Sequence, residues 1–203
     1  FIQKMEQLGK ELGNMSNYYK HDSSIVSVSA VIETGVKIWH FCHVMDNTFI
    51  GENTVIGQNV FVGRNVKIGK SCKIQNNVSL FDGVICDKEV FIGPSVVFTN
   101  VINPRSFIER KDEFKLTKVE QGASIGANAT IICGNKIGRF SFIGAGSVVN
   151  RDIKDFELVV GNPIRNIGWI SKEGVKLNFE KTNRITLEGV TYILKNNKVK
   201  IEE

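Results

Sequence analysis

Apolar residues recur at every sixth position from Val26 to Phe98 without a slip in register. Two positions before each of them lies a small or β-branched residue, and glycine often follows directly after. A helix would place apolar residues three and four apart, and an exposed strand would place them two apart. The pattern is therefore a six-residue repeat, with apolar positions at Val26, Ile32, Ile38, Val44, Ile50, Ile56, Val62, Ile68, Ile74, Leu80, Cys86, Ile92 and Phe98.

A period of six predicts an all-β parallel solenoid. The apolar residue and the small residue two positions earlier share one face of a short strand, and the remaining residues turn a corner. Glycine or asparagine after the apolar residue allows the positive φ that tight corners need. The repeat resumes after an interruption at Ile125, Ile131, Ile137, Ile143 and Val149. With three hexads to each triangular coil, the two runs predict about six stacked coils.

The sequence divides into three regions. Residues 1–17 carry apolar residues at helical spacing, and two interpretations stay open: a short helix packed on the end of the coils, or an expression-vector remnant ahead of Met15. Residues 18–154 are predicted to form the β-helix, with an ejected, charged loop at 99–118 whose length is typical of a functional element. Residues 155–203 alternate weakly between apolar and polar and predict a small C-terminal β appendage.

Composition narrows the classes of function. The net charge of +5 mildly favours anionic partners, but no basic run or RNA-binding motif points to nucleic acid. No apolar stretch of about 18 residues predicts a membrane span. The four cysteines form no C-x-x-C pair, so neither a disulfide framework nor a zinc site is expected, and the protein is expected in the cytoplasm.

Polar corner residues are predicted to stack in columns, because residues 18 apart lie one above the other at the ordinary strand spacing. One column holds His40, Gln58 and Asn76, and a second holds Asp46, Arg64, Asp82 and Asn100. Such columns suit either a polar wall for a ligand or a plain solvated corner.

Particular stretches carry a resemblance to a known family. They are Gly93-Pro-Ser-Val-Val-Phe-Thr-Asn-Val-Ile-Asn-Pro-Arg, Glu109-Arg-Lys-Asp-Glu, Gly126-Ala-Asn-Ala-Thr-Ile-Ile-Cys-Gly and Val160-Gly-Asn-Pro-Ile-Arg-Asn-Ile-Gly-Trp. The chain resembles the left-handed β-helix acyltransferases, and within them the bacterial N-acetyltransferases that act on the 3-amino group of a nucleotide-linked sugar. The best match is the type that acetylates UDP-2-acetamido-3-amino-2,3-dideoxy-glucuronate for surface-polysaccharide synthesis. The resemblance implies acetyl-CoA as donor and a homotrimer with each site between two subunits. Because this chain has no cysteine after Cys133, no metal is expected.

The resemblance also implies roles for particular residues. Asn100 is expected to accept a hydrogen bond from the amine, and His40, whose ordinary pKa range suits proton transfer, is the candidate base or a structural corner residue. A backbone N–H at a glycine corner is expected to hold the oxyanion. The expected substrate contacts are Gln58, Asn76, Arg105, Glu109, Arg110 and Lys111. The expected acetyl-CoA contacts are Gly126, Ala127, Lys136, Gly144, Ala145, Pro163 and Arg165.

Three alternatives accompany this interpretation. One is the same chemistry on a dTDP-3-amino-3,6-dideoxyhexose, which lacks the carboxylate. Another is a metalloenzyme of the γ-carbonic anhydrase type, disfavoured because His21, His40 and His43 all lie near the N-terminus at the wrong spacing. The third is a non-catalytic β-helix scaffold, against which the ejected loop and the Gly-Asn-Pro-x-Arg element argue.

Overall fold

The computed structural model describes residues 17–202, so the interpretation of residues 1–17 falls almost wholly outside the described part of the chain. Twenty-one short strands build a solenoid with three parallel sheets. In chain order they are β1 (Tyr19–Lys20), β2 (Ile25–Val26), β3 (Val31–Ile32), β4 (Lys37–Ile38), β5 (His43–Val44), β6 (Phe49–Ile50), β7 (Val55–Ile56), β8 (Phe61–Val62), β9 (Lys67–Ile68), β10 (Lys73–Ile74), β11 (Ser79–Leu80), β12 (Val84–Cys86), β13 (Phe91–Ile92), β14 (Val97–Phe98), β15 (Thr117–Val119), β16 (Ser124–Ile125), β17 (Thr130–Ile131), β18 (Lys136–Ile137), β19 (Phe142–Ile143), β20 (Val148–Val149) and β21 (Glu157–Val160).

Each coil visits three faces in turn. Face A holds β1, β4, β7, β10, β13, β16, β19 and β21; face B holds β2, β5, β8, β11, β14, β17 and β20; face C holds β3, β6, β9, β12, β15 and β18. We number the coils from 1 to 7 by their face A strands, from β1 to β19, and name the edges AB, BC and CA after the faces that they join. In the two-residue strands from β2 onward the second residue points inward, and in β12 and β15 the first and third residues do, which explains the six-residue apolar repeat.

The β-solenoid prediction is confirmed, but six coils is too few. Seven coils stack, and β21 begins an eighth by pairing with β19 in parallel at Phe142 and Leu158. The undercount arose at three places: β1 precedes the first hexad, β15 lies inside the predicted loop, and β21 lies inside the predicted C-terminal region. The ejected segment therefore runs from residue 99 to residue 116 and contains one 3-10 turn, Lys111–Glu113.

Several of the small residues two positions before each apolar residue form hydrogen bonds with backbone groups at the corners. Thr54 donates through its hydroxyl to the carbonyl of Gly69 at 2.8 Å and accepts from the N–H of Cys72 at 3.0 Å. The Cys72 thiol in turn donates to the carbonyl of Asp87 at 3.1 Å. These side chains satisfy backbone groups that the corners bury, so their polarity is as important as their size.

The C-terminal region closes the solenoid with antiparallel strands: β22 (Arg165–Ile170), β23 (Lys176–Leu177), β24 (Arg184–Leu187), β25 (Val190–Lys195) and β26 (Lys198–Ile201). Strand β22 pairs with β21, and β24 to β26 form a meander. A second core joins this meander to edge CA, where the Phe156 ring meets Phe140 at 5.5 Å and Tyr192 at 5.7 Å.

Candidate active site

Asn100 lies at the root of the ejected loop, on edge BC of coil 5. The loop closes through the main chain, because the N–H of Lys115 donates to the Asn100 carbonyl at 2.9 Å and that of Thr117 to the Gly83 carbonyl at 2.8 Å. This closure folds the loop back against the coils below. It follows that Asn100 faces residues of both the loop and the solenoid.

A cavity of about 470 Å³ forms where the loop meets edge BC. Its lining comes from coils 3 and 4 and from the loop: Arg64, Asn65, Asp82, Gly83, Asn100, Lys111 and Phe114. Two predicted site residues, Asn100 and Lys111, thus come together. Arg64, Asp82 and Phe114 were not selected as site residues, although the 18-residue column already aligned Arg64 and Asp82 with Asn100.

The charges in the cavity are arranged around Asp82. One of its carboxylate oxygens, Oδ1, accepts the N–H of Arg64 at 2.8 Å. Arg64 Nε lies 3.7 Å from Asp46 Oδ2, and Lys111 Nζ lies 2.9 Å from Glu109 Oε1. Asp82 is half-buried and sits one coil below Asn100, about 4.8 Å along the solenoid axis. The cavity therefore offers a carboxylate and an amide to the same ligand.

The remaining predicted loop contacts are mostly turned away or already paired. Arg110 Nη1 donates to Glu113 Oε1 at 2.6 Å, and Arg105 Nη1 donates to the carbonyl of Pro104 at 2.9 Å. Arg105 and Glu109 are exposed, and none of these side chains lines the cavity. Among the predicted loop contacts, the structure thus brings only Lys111 to Asn100.

His40, Gln58 and Asn76 lie on edge AB, as their column predicted. The Asn76 side-chain oxygen accepts the N–H of Gln58 at 2.9 Å, so it caps the coil below. His40 stacks on His21 with ring centroids 3.5 Å apart. His40 belongs to coil 2 and Asn100 to coil 5, which separates them by three coils, about 14 Å, along the axis and places them on different edges.

The upper part of edge AB is lined by small residues and by unpaired donors. The positions above Asn76 in its column are Pro94, Ala127 and Ala145, none of which has a side-chain acceptor. The Gln58 N–H donates to the Asn76 side chain. The N–H groups at the same column position in higher coils, those of Ala127 and Ala145, make no hydrogen bond within residues 17–202. Edge AB above coil 4 is therefore a strip of small side chains with these free backbone N–H donors, and we refer to this strip as the groove.

The predicted glycines on this edge are closely packed against the next coil. A Cβ on Gly126 would lie 2.5 Å from the N of Ala145, and one on Gly144 would lie 2.6 Å from a Val160 methyl. Pro163 and Arg165 are exposed beyond β21. Lys136 lies elsewhere, on face C, where its Nζ is 3.0 Å from Glu120 Oε1, so a single chain does not bring it to the groove.

Face B separates the groove from the cavity and differs from the other two faces in charge. The outward side chains of its strands are Ile25, His43, Phe61, Ser79, Val97, Thr130 and Val148. Faces A and C each present lysines at the matching positions, including Lys37, Lys73, Lys67 and Lys118. Phe61 packs against Phe81 at 5.4 Å on this surface. Face B thus presents four apolar side chains together with His43, Ser79 and Thr130, and it has no lysine, arginine or carboxylate on its strands.

Within residues 17–202, no three His, Cys, Asp or Glu side chains converge in a way that could hold a metal ion. In the same part of the chain, no helix is long and apolar enough to cross a membrane.

Comparison with known families identifies the repeat. The bacterial transferase hexapeptide (six repeats) matches residues 29–64 and 47–82, and the hexapeptide repeat of succinyl-transferase matches residues 117–151. The 3-N-acetyltransferase of dTDP-3-amino-3,6-dideoxy-alpha-D-galactopyranose from Aneurinibacillus thermoaerophilus is 44% identical over 81 residues, covering 40% of this chain and 42% of that protein. The galactoside O-acetyltransferase of Lactococcus lactis is 33% identical over 92 residues, covering 43% and 44%. The chain thus spans less than half the length of these curated relatives.

Solved structures share the fold. An N-acyltransferase from Bacillus cereus, AntD, in complex with dTDP and 3-hydroxybutyryl-CoA, superposes with a TM-score of 0.58 at 20% identity, covering 83% of this chain and 89% of that one. A hexapeptide transferase family protein from Anaplasma phagocytophilum gives a TM-score of 0.52 at 20% identity, covering 77% and 84%. At this identity the likeness concerns the fold.

Proposed function

Since the chain is built on the hexapeptide repeat of the bacterial transferases, we propose that it transfers the acetyl group of acetyl-CoA to the 3-amino group of a nucleotide-linked amino sugar. The observation that carries the proposal is the cavity that Asn100 and Asp82 both line. The proposed reaction belongs to surface-polysaccharide synthesis in the cytoplasm.

The cavity binds and orients the amino group of the sugar. At neutral pH a sugar amine arrives as an ammonium group, which the Asp82 carboxylate attracts. The ammonium group first loses one proton to water. The Asn100 side-chain oxygen then accepts one N–H of the neutral amine, which points the lone pair at the thioester. The C–N bond forms and the C–S bond then breaks, and because an amide oxygen is no base at neutral pH, the second proton goes to water or to the departing thiolate. Catalysis then depends mainly on alignment of the two reactants.

The groove on edge AB holds the donor. Acetyl-CoA lies along Ala127 and Ala145, whose N–H groups donate to the amide carbonyls of its pantetheine arm. Asn100 is in coil 5 and Ala127 in coil 6, so they differ by about one coil along the solenoid axis. The thioester of acetyl-CoA, bound at the Ala127 end of the groove, is therefore nearly level with the amine. A backbone N–H at the same end is placed to stabilise the oxyanion of the tetrahedral intermediate.

The site is incomplete in one chain, because the cavity and the groove lie on opposite edges of face B. A second copy packed on face B brings the cavity of one subunit to the groove of the next, and three copies close a ring. The absence of charge on face B supports this contact. A cyclic trimer with its axis along the solenoid keeps every coil at its own height. His40 then stays about 14 Å from Asn100, which favours Asn100 over His40 as the residue on the amine.

The assembly can be tested by charge. We expect Phe61→Glu on face B to convert the trimer to a monomer in light scattering and to abolish transfer, while circular dichroism stays unchanged. The matched control is Phe91→Glu, at the equivalent outward position of a strand on face A, which leaves the trimer intact. A monomer in both variants, or in neither, contradicts the assignment of face B.

Two substrates fit the site. Arg64 and Lys111 line the cavity, which favours the carboxylate of UDP-2-acetamido-3-amino-2,3-dideoxy-glucuronate. The named activity of the Aneurinibacillus relative favours a neutral dTDP-3-amino-3,6-dideoxyhexose instead. Initial rates on both sugars separate them: a preference for the uronate that Arg64→Ala removes supports the first, and an equal or reversed preference supports the second.

A further inference from the structure

A cleft of about 770 Å³ opens on edge CA, between coils 6 and 7 and the C-terminal meander. It lies across the solenoid from face B, away from the cavity and the groove. Strand β26 forms one wall, and the Phe140 and Phe156 side chains contribute to the other. Its volume lies in the range of small-molecule sites.

The cleft is strongly basic. Six cationic side chains line it: Lys136, Arg139, Lys154, Lys172, Lys198 and Lys200. Two carboxylates, Asp152 and Asp155, also line it, and both are in use. Asp155 accepts from the N–H of Arg139 at 3.0 Å and from its Nε at 3.0 Å, and Asp152 accepts the N–H of Lys136 at 2.8 Å.

Four of these ammonium groups have no carboxylate partner within residues 17–202: Lys154, Lys172, Lys198 and Lys200. Lys154 Nζ donates to the carbonyl of Asn197 at 3.0 Å, which leaves Lys172, Lys198 and Lys200 for a ligand. Lys198 and Lys200 alternate with buried Val199 on β26, so both project from the same face of the strand. Lys172 Nζ lies over the Phe140 ring, 5.4 Å from its centroid, which fixes a third positive charge at the cleft.

A neighbouring pair shows how this chain neutralises like charges. Lys118 and Lys136 are directly opposite across face C, a destabilising pairing, and Glu120 Oε1 lies 3.3 Å from the first and 3.0 Å from the second. No described residue does this for Lys172, Lys198 and Lys200. The missing negative charge is what a ligand would supply.

We propose that the cleft is a binding site for a small soluble polyanion bearing a diphosphate, separate from the site of acetyl transfer. Adjacent phosphates can each accept from a different ammonium group, and the walls of a cleft between two elements limit the ligand to a small molecule. Charge-assisted contacts of this kind are strong at low salt and weaken as salt rises.

The test is calorimetric titration of the full chain with inorganic pyrophosphate and with ADP, alone and with saturating CoA. We expect one site per chain that persists with CoA present and weakens with added salt. The triple variant Lys172→Ala, Lys198→Ala, Lys200→Ala should bind at least ~10-fold more weakly. Acetyl transfer should be unchanged in it, and a thermal melt should confirm that it folds.

The matched control is Lys67→Ala, Lys70→Ala, Lys73→Ala, which removes the same charge from exposed positions on coils 3 and 4. It should retain native affinity. Equal weakening in both triple variants would reduce the effect to net charge and overturn the proposal. So would the absence of binding to the native chain, or complete displacement of pyrophosphate by CoA, which would make the cleft part of the donor site. If the native chain and every variant failed to transfer acetyl, the proposed function would be contradicted. The pyrophosphate-binding result for the cleft would be unaffected.

Discussion

The carbonyl oxygen of Asn100 accepts the N–H of Lys115 at 2.9 Å, so the ejected loop is closed by main-chain atoms. The Asn100 side chain makes no hydrogen bond to any residue in the described range 17–202. A substitution there should therefore remove chemistry without opening the loop. We expect Asn100→Ala to lower kcat about 100-fold, the cost of losing alignment of the reactants.

Thermal unfolding of Asn100→Ala should match the native chain within about 1 kcal/mol. His40→Ala is the companion variant, and we expect it to keep at least half of the native rate. Loss of turnover in His40→Ala with the fold intact, together with a nearly normal Asn100→Ala, would make the histidine the base and overturn the assignment.

Asp82 allows charge and structure to be separated. In the native chain the Asp82 carboxylate accepts the Arg64 N–H at 2.8 Å. Asp82→Asn retains an oxygen that can accept this N–H but removes the negative charge. We expect an increase in KM for the amino sugar of about tenfold, an unchanged KM for acetyl-CoA, and normal stability. Steady-state kinetics with each substrate varied in turn measure this. Equal changes in both KM values would show that Asp82 acts on the fold of the site instead.

Gly126 tests the packing of edge AB. Its Cβ would lie 2.5 Å from the N of Ala145, and backbone on both sides cannot give way cheaply. We expect Gly126→Ala to destabilise the protein by about 3 kcal/mol in urea unfolding. Gly174 is the control, because no atom lies within 4 Å of the position of its Cβ. Gly174→Ala should cost about 1 kcal/mol through its left-handed backbone alone. Equal costs would contradict the packing argument.

Glu157 links stability to pH. Burial alone would raise its pKa, but hydrogen bonds from Arg151, from the N–H of Lys154 and from Asn166 outweigh burial and lower the pKa below the ordinary value of 4.5. A lowered carboxyl pKa contributes stability above the unfolded-state value that is lost as the pH falls through the folded-state value. Melting temperatures of the native chain and Glu157→Gln should thus differ most near pH 7 and converge below pH 4.5. A gap that is constant with pH would contradict this.

The cysteine thiols should be inert in the folded protein. Burial raises the pKa of Cys72 to about 11 and that of Cys86 well above its ordinary value. All four cysteines are buried. At pH 8 we expect no fast reaction with a thiol reagent until denaturant is added, when four thiols react. A rapidly reacting thiol in the native chain would show that the solenoid opens locally.

Most of the fold was predictable because each hexad carries its own signal. The inward residues of β2 to β14 follow from apolar spacing alone. The coil count failed where that signal is diluted. Strand β15 lies next to the long ejected loop, and its inward residue Val119 is followed directly by Glu120 rather than by glycine. The polar role of Thr54 and Cys72 was missed as well, because size and hydropathy do not show which buried carbonyl needs a donor.

The sequence showed which site residues share an edge, but not where the ejected loop contacts that edge. The 18-residue spacing aligned Arg64, Asp82 and Asn100, since coils stack in register. It could not show that the loop folds down onto coils 3 and 4, which is what brings Lys111 and Phe114 to them. The same spacing did assign His40 to a different column, and therefore to a different edge, from Asn100. The basic cleft could not be predicted from the sequence either. Its residues come from the upper coils and from the C-terminal region, and no repeat relates these two regions.

The most direct test of the account is release of CoA thiol when the purified protein is mixed with acetyl-CoA and a nucleotide-linked 3-amino sugar. The buried cysteines keep the background of this assay low. We predict release with a 3-amino sugar, none with the matching 3-hydroxy sugar, and loss of release in Asn100→Ala. No release with either the UDP-linked uronate or the dTDP-linked deoxyhexose would contradict the proposed acetyl transfer.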